Sequence, residues 1–402
     1  MVRNFLSSLL LLFLALGLIC EASSPKLQNI KAVIEANNRF AFDLYHLYSQ
    51  KYKEENIFFS PLSISSAFSM LYEGARGETA EEIRKAFHLP GQVDVLRDGY
   101  LSLYEETKKP KEYELTLANA LWVQMGYPFL KEYLSVVERY YGGKATNLDF
   151  RGDPKGSRQI INEWVEEKTK GKIKNLVPEG SINPETTRLA ITNSLYFKGL
   201  WLNPFDTELT KEAYFKISPQ KKVKVMMMCT HGPWSFQYAE TKDLQILEME
   251  YKGEGISMLV LLPKGYSLAK LEGMLNWENL KKWRGMLRKE DLMVYFPRFK
   301  MEKRYQMVDD LKRLGVISVF EPAEADLSGL DGKRDLFVSR VFHSAKIEVN
   351  EAGTEAAAAT IVFAEGEFEV KTFRADHPFV FIIQNNNTGN ILFIGRVYNP
   401  EK

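Results

Sequence analysis

The stretch Glu351-Ala352-Gly353-Thr354-Glu355-Ala356-Ala357-Ala358-Ala359-Thr360, running into Ile361-Val362-Phe363, limits the fold more than any other part of the chain. Its four consecutive alanines favour helix by intrinsic propensity, whereas Gly353 ahead of them and the β-preferring tail behind them do not. The segment is therefore conformationally ambivalent: a short helix in one setting, a strand in another. If it enters a sheet, the two-residue period sends Thr354, Ala356, Ala358, Thr360, Val362 and Ala364 to one face. Each of these is small or β-branched, so that face can slip between two strands without overfilling the space beneath.

The flanks favour the second setting. Residues 344–350 alternate like a strand, and 379–383 and 391–394 read as buried strands divided by a turn at 385–390. The ambivalent run is thus expected on an exposed tether between sheet elements.

At 402 residues, with 45% hydrophobic and 26% charged residues, the chain can bury a large core. No Pro/Gly/Ser-rich stretch, charge block or internal repeat divides it, so one domain over residues 23–402 is expected. Residues 1–22 read as a signal peptide. Arg3 precedes an apolar run from Phe5 to Ile19, and Cys20 and Ala22 stand at the minus-three and minus-one positions of a cleavage after Ala22. That run is shorter than the roughly 20 residues that span a bilayer, so secretion to the extracellular space, without a membrane anchor, is expected. Cleavage removes Cys20 and leaves Cys229 as a lone, buried thiol. A net charge of +1 gives no reason to expect nucleic acid.

Helical spacing marks residues 29–51, 60–73, 79–87, 93–107, 155–169 and 268–288, with Ser60 or Pro61 and Thr79 as helix starts. Strand patterns mark 115–124, 189–196, 223–228, 234–240, 244–251, 257–263 and 292–299. Helices first, then strands interleaved with helices, is the order of an α+β fold with large antiparallel or mixed sheets.

Enzyme chemistry finds no support. The chain lacks His-Glu-x-x-His, a phosphate-binding loop ending in Lys-Ser/Thr, Gly-x-Ser-x-Gly and Cys-x-x-Cys. Gly253-Glu254-Gly255 reads as a turn between strands. Five scattered histidines and one thiol assemble neither a metal site nor a nucleophile, so no catalytic residue, metal or cofactor is expected.

From about Lys26 to Lys402 the chain resembles a serpin of the inhibitory type, the serpins being the serine protease inhibitor family. Besides the run at 351–363, the resemblance is carried by Asn56-Ile57-Phe58-Phe59-Ser60-Pro61-Leu62-Ser63-Ile64, Gly77-Glu78-Thr79 and Thr192-Asn193-Ser194-Leu195-Tyr196-Phe197-Lys198-Gly199-Leu200-Trp201. It continues through Ala325-Asp326-Leu327-Ser328-Gly329, Asp376-His377-Pro378-Phe379 and Gly395-Arg396-Val397. The resemblance implies a serpin fold of about nine helices and three β-sheets, with an exposed reactive-centre loop at about 351–373. It also implies a monomer that inhibits a target serine protease as a suicide substrate, the cleaved loop joining the central sheet. A serpin that carries a ligand or acts as a chaperone is the alternative; the small residues of the hinge, 351–360, favour the inhibitor.

In the family the scissile bond falls fourteen residues after the hinge glycine and eleven before the closing proline; from Gly353 and Pro378 both counts reach Glu367. The resemblance thus implies Glu367 as P1 and Phe368 as P1 prime, hence a protease with a basic S1 pocket. A register one residue later makes Phe368 P1 and points to chymotrypsin-like enzymes. By the same resemblance Ser60, Ser63, Asn193 and His343 form the shutter that holds two central strands together, and Trp201, Arg298 and Glu351 form the breach where the loop enters. Lys281, Lys282, Arg284, Arg288 and Lys289 make a basic helix that reads either as a solvated helical face or, by its resemblance to heparin-binding surfaces in some serpins, as a site for a glycosaminoglycan cofactor. Asn386 heads the one glycosylation sequon, Asn386-Asn387-Thr388, in an expected surface turn.

Overall fold

Ser60 illustrates how local sequence sets an element here. Its hydroxyl accepts from the Ser63 N–H at the helix N-cap, and Pro61, with no N–H to lose, occupies the first helical position. The computed structural model describes residues 25–108, 112–253, 255–354 and 371–402, so the signal peptide expected at 1–22 lies outside the described residues.

In chain order the elements are α1 (Pro25–Lys51), β1 (Ile57–Phe59), α2 (Pro61–Gly74), α3 (Gly77–Ala86), α4 (Val93–Lys108), β2 (Glu114–Gln124), α5 (Lys131–Val136), β3 (Lys144–Leu148) and α6 (Pro154–Lys168). Strands β4 (Leu189–Leu200), β5 (Asp206–Ser218), β6 (Lys221–Cys229), β7 (Trp234–Glu240), β8 (Leu244–Glu250) and β9 (Ile256–Pro263) follow. Then come α7 (Ala269–Met274), α8 (Trp277–Met286), β10 (Arg288–Pro297), β11 (Phe299–Gln306), α9 (Val308–Arg313) and α10 (Ser328–Asp331). The chain closes with β12 (Val338–Asn350), β13 (Gly353–Thr354), β14 (Lys371–Arg374), β15 (Phe379–Asn385) and β16 (Ile391–Val397). The described residues thus contain ten α-helices, against about nine expected.

One sheet has six strands in the order β11-β12-β13-β4-β2-β3; the other has ten, β1-β16-β15-β9-β8-β7-β10-β6-β5, with β14 on β10. The three sheets expected resolve this way because β10 serves two neighbours: Arg288 to Leu292 pair with β7, and Tyr295 to Pro297 pair with β6. Apolar side chains from both sheets and from α1 and α2 merge into one core, while Trp122, Phe150, Ile161 and Val165 form a second cluster beneath α6.

Three expected boundaries shift. The strand expected at 292–299 is two strands, because Pro297 has no N–H to extend the ladder and the chain crosses to the other sheet at Arg298. The helix expected at 268–288 is α7 and α8, the second capped by Asn276 accepting from the Asn279 N–H. Helix α3 starts at Gly77 rather than Thr79, whose hydroxyl is occupied by Ser318 and the Asp326 N–H. Strand β5 has no counterpart among the expected strands: it is polar and lies at a sheet edge, where core patterning leaves little trace.

Candidate functional site

Strands β12 and β4 run parallel, which is the arrangement a third, antiparallel strand can divide. From Val338 to Ala345 they pair directly, with His343 opposite Asn193. Beyond that stretch β13 lies between them: Val349 faces Thr354 on one side, and Thr354 faces Gly199 on the other. Gly353 fits because a Cβ there would stand 2.2 Å from the Gly199 carbonyl oxygen, so no other residue reaches this position undistorted. Thr354 is buried, and its hydroxyl shares a hydrogen bond of 2.8 Å with Tyr251 Oη.

All three residues expected at the breach stand beside this slot. Trp201 stacks on Tyr251 at 4.3 Å, and its Nε1–H donates to the Asn350 carbonyl at 3.0 Å. Glu351 is 8% exposed at its side chain; Arg298 Nε donates to its Oε1 at 2.6 Å, as does Thr210 Oγ1 at 2.6 Å. The backbone is tied too, with Trp201 N–H donating to Ala352 O and Phe205 N–H to Glu351 O. A cavity of about 550 Å³, lined in part by Phe205, Arg298, Phe299, Glu348, Glu351 and Ala352, opens beside the pair.

At the closed end Ser60, Ser63, Asn193 and His343 converge, all without solvent exposure. Ser60 N–H donates to His343 Nε2 at 3.1 Å. A backbone amide can only donate, so Nε2 is the bare nitrogen and the proton of the neutral ring is on Nδ1. That proton is given to Asn193 Oδ1 at 2.6 Å, which also accepts from Ser63 Oγ at 3.2 Å. Burial pushes His343 down to about 3, so the ring is neutral across the physiological range.

The five basic residues do not share one helix. Arg288 and Lys289 are on β10, paired with Tyr238 and Gln237, because the ladder captures them once α8 ends at Met286. Arg284 turns to the 385–390 turn and donates to the Asn386 carbonyl at 3.1 Å. Lys281 and Lys282 remain exposed on α8, Lys281 beside Glu278 at 2.8 Å. Asn386 does lie in a turn, half-buried, with Oδ1 accepting from Ser257 Oγ at 2.5 Å. Cys229 is a free, buried thiol. Glu355 to Thr360, Glu367 and Phe368 lie outside the described residues.

Thr210, Tyr251 and Phe205 escaped the sequence reading although they touch the hinge. Tyr251 is 103 positions from Thr354 and Thr210 is 141 from Glu351, and neither is preceded by a motif that marks it.

The family model described as Serpin (serine protease inhibitor) matches residues 35–400. Human serpin B3 is 40% identical over 396 residues, covering 92% of this chain and all of that protein. The leukocyte elastase inhibitor of Equus caballus is 38% identical over 375 residues, with 91% and 98% covered. The crystal structure of human thyroxine-binding globulin superposes with a TM-score of 0.86 at 30% identity, over 93% of this chain and all of that one. With the match running nearly end to end and a slot for one more strand at the centre of its sheet, the chain belongs to the serpin family.

Proposed function

We propose that this serpin is a secreted inhibitor of serine-type endopeptidases that acts as a suicide substrate. The protease serine attacks the Glu367 carbonyl, the peptide beginning at Phe368 leaves, and the acyl adduct is trapped as the loop enters the six-stranded sheet. The observation that carries this reading is the position of Gly353 and Thr354, antiparallel between two strands that pair directly further along. The strand that insertion would build has already begun.

The register predicts how it continues. Each further loop residue steps one position back on both β12 and β4, so six steps beyond Thr354 bring Thr360 opposite His343 and Asn193, on the face Thr354 occupies. Inserted, Thr360 takes the place where His343 Nδ1 now meets Asn193 Oδ1. Strands divided by a third stand roughly 9.6 Å apart instead of 4.8 Å, so that clasp is lost when the loop is in. In the inserted strand each ladder hydrogen bond contributes about 1 kcal/mol, against about 1 to 2 kcal/mol for fixing a residue's backbone. Those terms nearly cancel. Burial of Val362, worth about 1.5 to 3 kcal/mol, and the relief of strain in the uncleaved protein then have to drive the process.

The likeness to a leukocyte elastase inhibitor supports an inhibitor. A carrier reading draws on the likeness to thyroxine-binding globulin in complex with thyroxine, and the small residues at 354–360 weigh against it. The P1 preference would be acidic, with Glu365 and Glu369 adding to the attraction of a basic protease cleft. Any acceleration by a glycosaminoglycan would rest on Lys281 and Lys282.

The test is a screen of serine proteases, glutamyl-specific, granzyme-B-like and chymotrypsin-like, for an adduct that withstands SDS, with sequencing of the released peptide. A peptide starting at Phe368 is expected. A start at Glu369 moves P1 to Phe368, and cleavage without any adduct, leaving the melting temperature unchanged, overturns the inhibitor reading.

A further inference from the structure

We propose that Tyr305 is a positioning residue for His343, and that the two rings together grip the free edge of β1. The inference deepens the inhibitor reading and rests on it for its kinetic consequence alone. Strand β1 terminates the ten-stranded ladder, so one of its sides has no strand partner. The N–H groups of Phe58 and Ser60, two residues apart, leave the same side of an extended chain. Both end on rings of the other sheet: Phe58 N–H donates to Tyr305 Oη at 3.4 Å, and Ser60 N–H to His343 Nε2 at 3.1 Å.

Tyr305 on β11 and His343 on β12 stand opposite each other in register, and their rings stack at 6.1 Å and 12°. Tyr48 of α1 also stacks on Tyr305, at 4.6 Å and 20°. Three nearly parallel rings therefore run from α1 through β11 to the clasp, Tyr48 and His343 without exposure and Tyr305 nearly so. The two hydrogen bonds of His343 fix where its nitrogens point within the ring plane. The stack on its face keeps the ring from tilting out of that plane, so both bonds are held together. The long Phe58 contact makes the tyrosine hydroxyl the smaller part of this role and the ring the larger.

Two readouts test it. Labelling the five histidines with ¹⁵N reports the tautomer of His343, and resistance to concentrated urea reports the rate at which the uncleaved protein converts to a loop-inserted form at raised temperature. Tyr305→Phe should keep the nitrogen shifts and speed conversion by less than about threefold, the hydroxyl's smaller share of the role. Tyr305→Leu should pull the two nitrogen shifts toward each other and speed conversion by about tenfold or more, the equivalent of losing the pair with His343 alone. In a His343→Ala background the same Tyr305→Leu change should add less than about twofold, because nothing is left to position, whereas a merely structural tyrosine would add its full effect.

Wild-type shifts and rate in Tyr305→Leu, or full additivity with His343→Ala, overturn the proposal. If Tyr305→Leu fails to fold, Tyr48→Leu removes the outer ring alone; about threefold faster conversion supports the stack, and an unchanged rate overturns it. A wild-type protein that forms no adduct and never converts removes the inhibitor reading instead, while the histidine shifts still decide the role of Tyr305.

Discussion

The two ends of the contact between β12 and β4 treat the same pair of strands in opposite ways. From Val338 to Ala345 the strands bond to each other over a seam that contains the buried polar residues Asn193 and His343, bonded to one another. At the other end a glycine and a threonine separate them, between walls that include Trp201 and Tyr251. A buried polar seam is stable only while its partners are present, since an unpaired group there costs about 1 to 3 kcal/mol. A slot floored by glycine backbone asks only that the incoming side chains be small. On the proposed mechanism, resistance to opening is therefore concentrated at His343 and Asn193, and readiness to accept a strand at Gly353 and Thr354.

The largest expected effect breaks the open end. Thr354 is 1% exposed, and Thr354→Arg forces a guanidinium into that space or the strand out of it. Adduct yield should fall by at least about a hundredfold while cleavage of the loop continues, a discrimination that needs only about 2.7 kcal/mol. An SDS gel with a reactive protease decides it; adduct at the wild-type yield would mean that the slot does not receive the loop.

The closed end should be sensitive to acid. His343 titrates at about 3 in the folded protein against an ordinary 6.5. Above pH 6.5 the ring is neutral in both states and contributes no pH dependence. As pH falls below 6.5 the unfolded chain takes up a proton that the folded protein refuses, so stability drops until pH reaches about 3. Between pH 6.5 and 4 the loss is on the order of 3 kcal/mol. Urea midpoints over this range, compared with those of His343→Gln, should show a slope that the variant lacks; equal slopes would place the histidine's proton outside the seam.

Gly353→Ala should act more gently, by about 1 to 3 kcal/mol, because the added methyl meets the Gly199 carbonyl and pushes β13 outward. Slower adduct formation at unchanged loop cleavage is the expected readout, and wild-type kinetics would show that β13 need not be seated beforehand. The smallest effect belongs to Arg298→Ala. Its side chain is 42% exposed, so the pair with Glu351 contributes about 0 to 1 kcal/mol to the urea midpoint, with Thr210 still bonded to the carboxylate. A loss above about 2 kcal/mol would mean that the pair behaves as a buried one and that the boundary between the two ends is electrostatic.

Much of this site was legible in the chain. The hinge announces itself by small residues at alternate positions, and Ser60-Pro61 marks a helix start that the structure repeats in detail. Trp201, Arg298, Asn193 and His343 came from family resemblance rather than from pattern, and each stands at the slot or at the seam. The basic cluster misled because Arg288 and Lys289 look helical by spacing until β7 is available to pair with them. Likewise the strand at 292–299 reads as continuous until Pro297 and Arg298 are seen to pass between sheets.

Composition, periodicity and the hinge run were enough to establish a single mixed domain with a segment suited to either helix or strand, because those properties are local and each residue carries them alone. Which strands flank Gly353 and Thr354, which nitrogen of His343 holds the proton, that Tyr251 and Thr210 bond to the hinge and that Tyr305 stacks on His343 were settled only in three dimensions. The reason is physical: hydrogen bonds and ring contacts act over a few ångströms, and the chain brings these groups within that range from positions about 40 to 280 residues apart.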